Sequence, residues 1–240
     1  MSTKIAVVTD IYANLPALEA ALERIDELGI DRVYCGGDLV GYGPHPNEVC
    51  ALIEGRGIPT IYGNYDYAIG RDLDDCGCAY VDKHDRELGQ PSVDWTLANT
   101  RPETKRFLRE LPFDLRFEFG GKRVRLVHGS PRKVNEYLFK DKPARTFERI
   151  AALADCDVLV FGHTHQPWVH EYGGVLFVNC GSVAKPKDRD PRSSLCSSCG
   201  LRRSRRCDDP TRKIRRLHVA REMRTDGLPG ELAENLVAAA

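Results

Sequence analysis

The sequence predicts an α/β layered fold. Two observations carry that expectation. The first two thirds of the chain alternate short β-branched runs with amphipathic helical patterns, and polar residues stand just beyond the carboxyl end of strand after strand. At 240 residues the chain is long enough for one large domain with a well-buried core or two small ones, and it reads as a single domain over 1–240.

Ile5–Thr9 is a β-branched run suited to a strand buried on both faces. The helix after it takes Asn14 as its cap and Pro16 in its first turn, and sets Leu15, Leu18, Leu22, Ile25 and Leu28 along one face before Gly29 stops it. Arg32–Cys35 reads as the second strand, Glu48–Gly55 as the next helix and Pro59–Tyr62 as the third strand. Residues 70–110 are mostly helical after a loop holding Cys76 and Cys78, with helix starts at Ser92 and Pro102 and a stop at Pro112. Arg123–Val127, Val158–Phe161 and Val175–Val178 follow as strands. A helix over Ala144–Ala154 turns Phe147 and Ile150 inward, Glu231–Ala239 reads as a short last helix, and no internal repeat is present.

Hydrophobic content of 42% and charged content of 29% are those of an ordinary soluble globular protein. No apolar stretch approaches the roughly 20 residues of a membrane helix. Ile5–Val8 follows only Lys4 and is cut short by Asp10, which is not a secretory leader pattern. Nine cysteines, an odd number, then read as reduced thiols, and the expected location is cytoplasmic. The net charge of zero gives no ground for a nucleic-acid or membrane partner. That zero is an average, because residues 193–217 hold eight Lys/Arg against two Asp/Glu.

The chemistry lies at the strand ends. The strand patterns lead in turn to Asp10, to Gly37-Asp38, to Gly63-Asn64, to His128 and to Gly162-His163-Thr164-His165. In open α/β sheets the crevice beyond the strands' carboxyl ends is where ligands bind. Carboxylate, carboxamide and imidazole donors without a cysteine suit Mn²⁺, Fe or Zn²⁺ in a catalytic site rather than a structural zinc. A carboxylate such as Asp38 can bridge two ions, which could clamp a phosphoryl oxygen and supply a hydroxide for in-line attack. Any one of these residues alone is weak; a lone Asp after a strand is usually a cap or turn residue.

Taken together, Asp10-Ile11-Tyr12, Gly37-Asp38, Gly63-Asn64-Tyr65-Asp66, His128-Gly129 and Gly162-His163-Thr164-His165 resemble the calcineurin-like metallophosphoesterase signature in order and spacing, most closely its small bacterial branch. The resemblance covers roughly residues 4–192. It implies a four-layer α/β/β/α sandwich of two mixed sheets flanked by helices, and a phosphodiester or phosphomonoester as a small substrate. It implies two metal ions, one at Asp10, Asp38 and His165, the other at Asp38, Asn64, His128 and His163. Asn64, Tyr65, Asp66 and His128 are the implied catalytic residues, with Asp66 orienting Tyr65 or a water. Two positions depart from the family. Tyr12 stands where the family has histidine, and stays a candidate ligand because a phenolate can bind ferric iron. Tyr65 stands where the family has the histidine that stabilises the transition state; a phenol with an ordinary pKa near 10 can donate a hydrogen bond but carries no positive charge. These departures lean the reading toward phosphodiesters, which depend less on a charged leaving-group acid. They also keep open a competing class, a scaffold like the metallophosphoesterase-like subunit of retromer.

Other features read more plainly. Gly41-Tyr42-Gly43-Pro44-His45 shapes a loop beside the site, and Arg132 reads equally as a bidentate hydrogen-bond donor to a substrate phosphate and as a solvated arginine. Cys76 and Cys78 are candidates for a metal or redox role, and His84, His170 and His218 read as surface residues. Cys196, Cys199 and Cys207 fall among the arginines of 193–217. Three thiolates are one short of a structural zinc site, and a basic arm for nucleic acid is the second reading. We favour a third: the apolar alternation stops after Ser193 where related proteins have a strand pair, as it would if this stretch were translated from a shifted frame.

Overall fold

The computed structural model describes residues 4–78, 83–188, 190, 192–197, 204–206 and 212–238. Strands β1 (Ile5–Val8) and β2 (Arg32–Cys35) pair in parallel, and β8 (Ser194–Ser197) and β9 (Ser204–Arg206) continue that sheet in the order β2-β1-β8-β9. The second sheet runs β3-β4-β5-β7-β6, with β3 (Asp114–Phe119), β4 (Lys122–Val127), β5 (Val158–Phe161), β6 (Trp168–Tyr172) and β7 (Val175–Asn179). Both sheets mix parallel and antiparallel neighbours.

Period-2 alternation explains how the layers stack. Ile5 and Val7 meet Val124, Leu126, Val158 and Val160 in an apolar cluster between the sheets. Ala6 and Val8 point the other way, into a cluster with Leu18, Leu22 and Ile25 of helix α1 (Leu15–Glu27) and Val49 and Ile53 of α2 (Pro46–Gly55). On the far side, Leu159 and Phe161 meet Phe147 and Ile150 of α6 (Ala144–Ala154). This is the expected four-layer sandwich. The β1 and β5 strands are buried on both faces, as their unbroken apolar runs require.

Local expectations hold at α1, where the Asn14 side chain accepts from the Ala17 amide at 3.2 Å and Gly29 takes φ +62° beyond the end. Pro59–Tyr62 is not a full strand. It forms one bridge, Thr60 to Cys35, because the chain then turns toward the site at Gly63. Helix α3 (Asn64–Gly70) was not expected; the Asp66 carboxylate accepts from the Gly63 amide at 2.9 Å and so caps its first turn. Ser92 does not begin a helix either. It lies inside α4 (Lys83–Asn99), where its hydroxyl accepts from the Tyr42 amide at 2.9 Å. Pro102 does open α5 (Pro102–Glu110).

In the anomalous segment, β8 and β9 occupy the sheet edge with two and three registered pairs, although β9 reads Ser-Arg-Arg with no apolar residue. Helix α7 (Arg212–Thr225) begins inside the segment, and α8 (Gly230–Ala238) packs on it through Met223, Leu228 and Leu232. The side chains of Cys196, Cys199 and Cys207 and that of His84 lie outside the described residues. No described helix is long and apolar enough to cross a membrane.

Candidate functional site

The ends of β1, β2, β4 and β5 and the start of α3 bring Asp10, Asp38, Asn64, His128, His163 and His165 to one buried rim. The backbone there is strained. Asp10, Tyr12, Asp38, His163 and His165 all have left-handed φ, at 56°, 50°, 53°, 64° and 58°. Each such non-glycine residue costs about 1–3 kcal/mol and persists where the surroundings enforce it. Neighbouring glycines permit the close approach: a Cβ on Gly37 would lie 2.3 Å from the Gly63 nitrogen, and one on Gly162 2.4 Å from Asp10 Oδ2. Beneath the rim, Ser182 Oγ donates to the Asp10 carbonyl at 2.8 Å, and Asn179 Nδ2 donates to the Gly162 carbonyl at 3.0 Å.

Asp38, His128 and His163 form one cluster, each with a donor atom within 4.8 Å of the others'. The His128 ring is oriented from behind, with Nδ1 against the Gly36 carbonyl at 2.8 Å and Nε2 facing Asp38 Oδ2 at 3.4 Å. Asn64 is oriented too: Nδ2 donates to the Cys76 carbonyl at 3.1 Å and to Cys78 Sγ at 3.2 Å, which turns Oδ1 toward the rim. Asn64 Oδ1 and both ring nitrogens of His163 are buried with no hydrogen-bond partner. Buried polar atoms are rarely left this way without a ligand to meet them. An amide oxygen and imidazole nitrogens beside a carboxylate are the donors a catalytic metal takes, so this set fits one.

Around Asp10 the arrangement differs. Tyr12 Oη lies 2.8 Å from Asp38 Oδ2, 2.8 Å from His165 Nε2 and 3.4 Å from Asp10 Oδ1. The phenol therefore stands among the three residues expected to hold the first ion.

The electrostatics follow from burial and neighbours. Burial drives His163 down to about 3, with His128 adding to the effect, and burial also lowers His165. Both are then neutral imidazoles near pH 7, the form that ligates metal. Burial opposes charge on His128, but Asp38 and then Asp10 push it up to about 10. Burial would raise Asp10, yet His165 above all, then His128 and His163, hold it down at about 2. Burial, then Asp38 and Asp10, push the Tyr12 phenol well above its ordinary range.

Two expected roles do not match the placement found. Tyr65 is fully buried beside the Tyr12 and Tyr42 rings, at centroid distances of 5.8 and 5.0 Å, and does not line the cleft. What it gives the site is its backbone N–H, which donates to Asp38 Oδ1 at 3.0 Å. Asp66 accepts from the amides of Leu39, Val40 and Gly63, at 2.8, 3.3 and 2.9 Å. It braces the loop that carries Asp38 through those three backbone amides. His45 pairs with Glu222 of α7 at 3.1 Å, and Arg132 pairs with Glu136, so neither faces the cleft. His170 and His218 are exposed.

Above the rim is a cleft of about 320 Å³. Tyr42, Tyr137 and Phe139 line it, with Lys185 and Lys187 and with Met223 and Leu232 from α7 and beyond. Tyr137 and Phe139 are stacked at 5.6 Å, and the Tyr137 ring lies 4.1 Å from that of His163. Sequence reasoning placed the loop of Tyr42 beside the site and missed the others. Lys185 and Lys187, two apart after Gly181-Ser182-Val183, were the one signal that pointed here.

Comparison with known proteins gives the same picture. The profile of the calcineurin-like phosphoesterase superfamily domain matches residues 3–200. The chain is 33% identical over 214 residues to uncharacterized protein MJ0912 of Methanocaldococcus jannaschii, covering 82% of each. It is 27% identical over 190 residues to phosphodiesterase YfcE of Escherichia coli K12, covering 79% of this chain and 84% of that one. A metallophosphoesterase from Sphaerobacter thermophilus superposes with a TM-score of 0.73 at 28% identity over 100% of both chains.

Proposed function

The chain belongs to the calcineurin-like phosphoesterase superfamily, hydrolases acting on phosphoric ester bonds, and on that premise we propose that it cleaves small phosphodiesters with metal held by Asp38, Asn64, His128 and His163. The observation that carries the reading is the set of buried, unpartnered donor atoms on Asn64 and His163 beside Asp38 and His128. Bound there, a divalent ion such as Mn²⁺, Fe²⁺ or Zn²⁺ would polarise a phosphoryl oxygen and acidify a water. The two-ion form implied by the motif order draws support from this one ligand set only.

The chain's own groups do the rest. The Gly36 carbonyl and the Cys76–Cys78 loop fix His128 and Asn64, so that positioning is complete before substrate arrives. Lys185 and Lys187 offer positive charge to the phosphate oxygens not engaged by metal. Tyr42, Tyr137, Phe139 and Met223 offer apolar surface for organic groups on the ester. That wall supports a diester over a monoester, since a diester carries organic groups on two sides and a single negative charge. A cleft this size suits a small soluble ester, and we place the reaction in the cytoplasm.

Hydrolysis of bis-p-nitrophenyl phosphate with Mn²⁺, beside an Asp38→Asn variant, tests the reading. We expect metal-dependent turnover that falls by more than about 100-fold in the variant. Absence of turnover with Mn²⁺, Fe²⁺, Zn²⁺ and Ni²⁺ in metal-loaded protein would instead favour the scaffold class, to which Tyr12 and Tyr65 in place of histidines lend support.

A further inference from the structure

We propose that this protein holds a single metal ion, at Asp38, Asn64, His128 and His163, and that the Tyr12 hydroxyl takes the place of the other ion among Asp10, Asp38 and His165. The proposal rests on the reading that the first of these sets binds metal.

Distance carries the argument. A metal would lie about 2.0–2.2 Å from a carboxylate oxygen or imidazole nitrogen. Tyr12 Oη lies 2.8, 3.4 and 2.8 Å from Asp38 Oδ2, Asp10 Oδ1 and His165 Nε2, so it stands beside those three atoms and engages Asp38 and His165 at hydrogen-bonding range, longer than any metal bond. The proton count agrees. The phenol has one proton, and given to Asp38 Oδ2 it leaves the oxygen to accept from His165 Nε2–H. That nitrogen also stands 3.3 Å from Asp10 Oδ1. In this arrangement Asp38 Oδ2 and His165 Nε2 are joined through the hydroxyl, and Asp10 Oδ1 faces the same His165 N–H.

The phenol is also held in place. Its ring meets the edge of Tyr42 at 5.0 Å and of Tyr65 at 5.8 Å, and lies 5.2 Å from the His165 ring. The Tyr12 amide donates to the Asp38 carbonyl at 2.9 Å, and Gly43 passes so close that a Cβ there would lie 2.3 Å from the Tyr12 carbonyl oxygen. Swinging the side chain out would break this packing and strip a buried hydroxyl of its partners. A histidine in the same position has no oxygen to place among the three ligands.

The test counts ions. Metal-free protein is loaded with Mn²⁺, freed of excess by gel filtration, and assayed by elemental analysis and low-temperature electron paramagnetic resonance. The wild type should retain about one ion per chain with an uncoupled Mn²⁺ spectrum, and Tyr12→His should retain about two, spin-coupled through Asp38. His163→Ala should retain none. Two ions in the wild type would overturn the proposal, and so would a Tyr12→His protein that still holds one while folded by circular dichroism. A tyrosinate-to-iron charge-transfer band in Fe³⁺-loaded wild type would overturn it as well, by showing Tyr12 as a ligand. A folded wild type that retains no ion fails differently, because it removes the metal-dependent reading itself.

Discussion

On one side of Asp38, Asn64 and His163 present buried atoms with no partner, while His128 is fixed from behind by a carbonyl. On the other side, His165 is joined to Asp38 through Tyr12 Oη, with Asp10 Oδ1 3.4 Å from that oxygen. Both sides use the same strand-end placement and the same strained backbone. What separates them is the atoms next to Asp38: Asn64 Oδ1 and both nitrogens of His163 have no partner, whereas His165 Nε2 is met by the Tyr12 hydroxyl and His165 Nδ1 alone is left without one. An unsatisfied buried donor or acceptor costs about 1–3 kcal/mol until a ligand meets it, so the Asn64/His163 side is poised to bind and the Tyr12 side is closed on itself.

The sharpest way to break that comparison is to remove one histidine from each side. His163→Ala should weaken Mn²⁺ binding by about 100-fold or more, by calorimetric titration, while His165→Ala should change it by less than about threefold. Equal losses would mean that both sides hold metal and that Tyr12 does not set them apart. A second variant probes the scaffold beneath both. Asp66→Ala strips three amides of the carboxylate they share and should lower stability by about 2–4 kcal/mol in urea denaturation. The loss should appear in metal-free protein too, since Asp66 braces the Asp38 loop rather than meeting substrate.

Much of this was legible. The six rim residues sit where short apolar runs end, and Gly37, Gly63 and Gly162 mark the turns, so the strand-end placement could be read one motif at a time. Two strands were missed despite clear signals. Asp114–Phe119 alternates Leu115, Phe117 and Phe119 inward, and Gly173-Gly174 between two apolar runs marks the β6–β7 hairpin with Tyr172 opposite Val175. Helix α3 was signalled by Asp66 at its third position. The state of Tyr12 was not legible in the same way, because its hydroxyl meets side chains from three separate strand ends, and no local pattern reports that distance. Nor did local pattern reveal β9, whose Ser-Arg-Arg is placed by pairing with β8 and not by apolar alternation. The proposal that this stretch arose from a shifted frame is checked by resequencing the gene alongside the intact mass.

The smallest expected effect sharpens the comparison most finely, because it leaves every ligand in place. Cys76 and Cys78 bring their sulfurs within 2.7 Å, and that loop accepts both bonds from the Asn64 amide nitrogen. If the poised side depends on Oδ1 being turned toward the rim, loosening the loop should matter there and nowhere else. Cys78→Ala removes the sulfur and keeps the Cys76 carbonyl, so Asn64 loses one of two restraints. Metal affinity should fall by about tenfold, with stability nearly unchanged. Cys78→Ser, whose hydroxyl can accept the same bond, should recover most of the loss. An unchanged affinity in the alanine variant would mean that the Cys76 carbonyl alone orients Asn64, and would move the source of preorganisation from the thiol to the backbone.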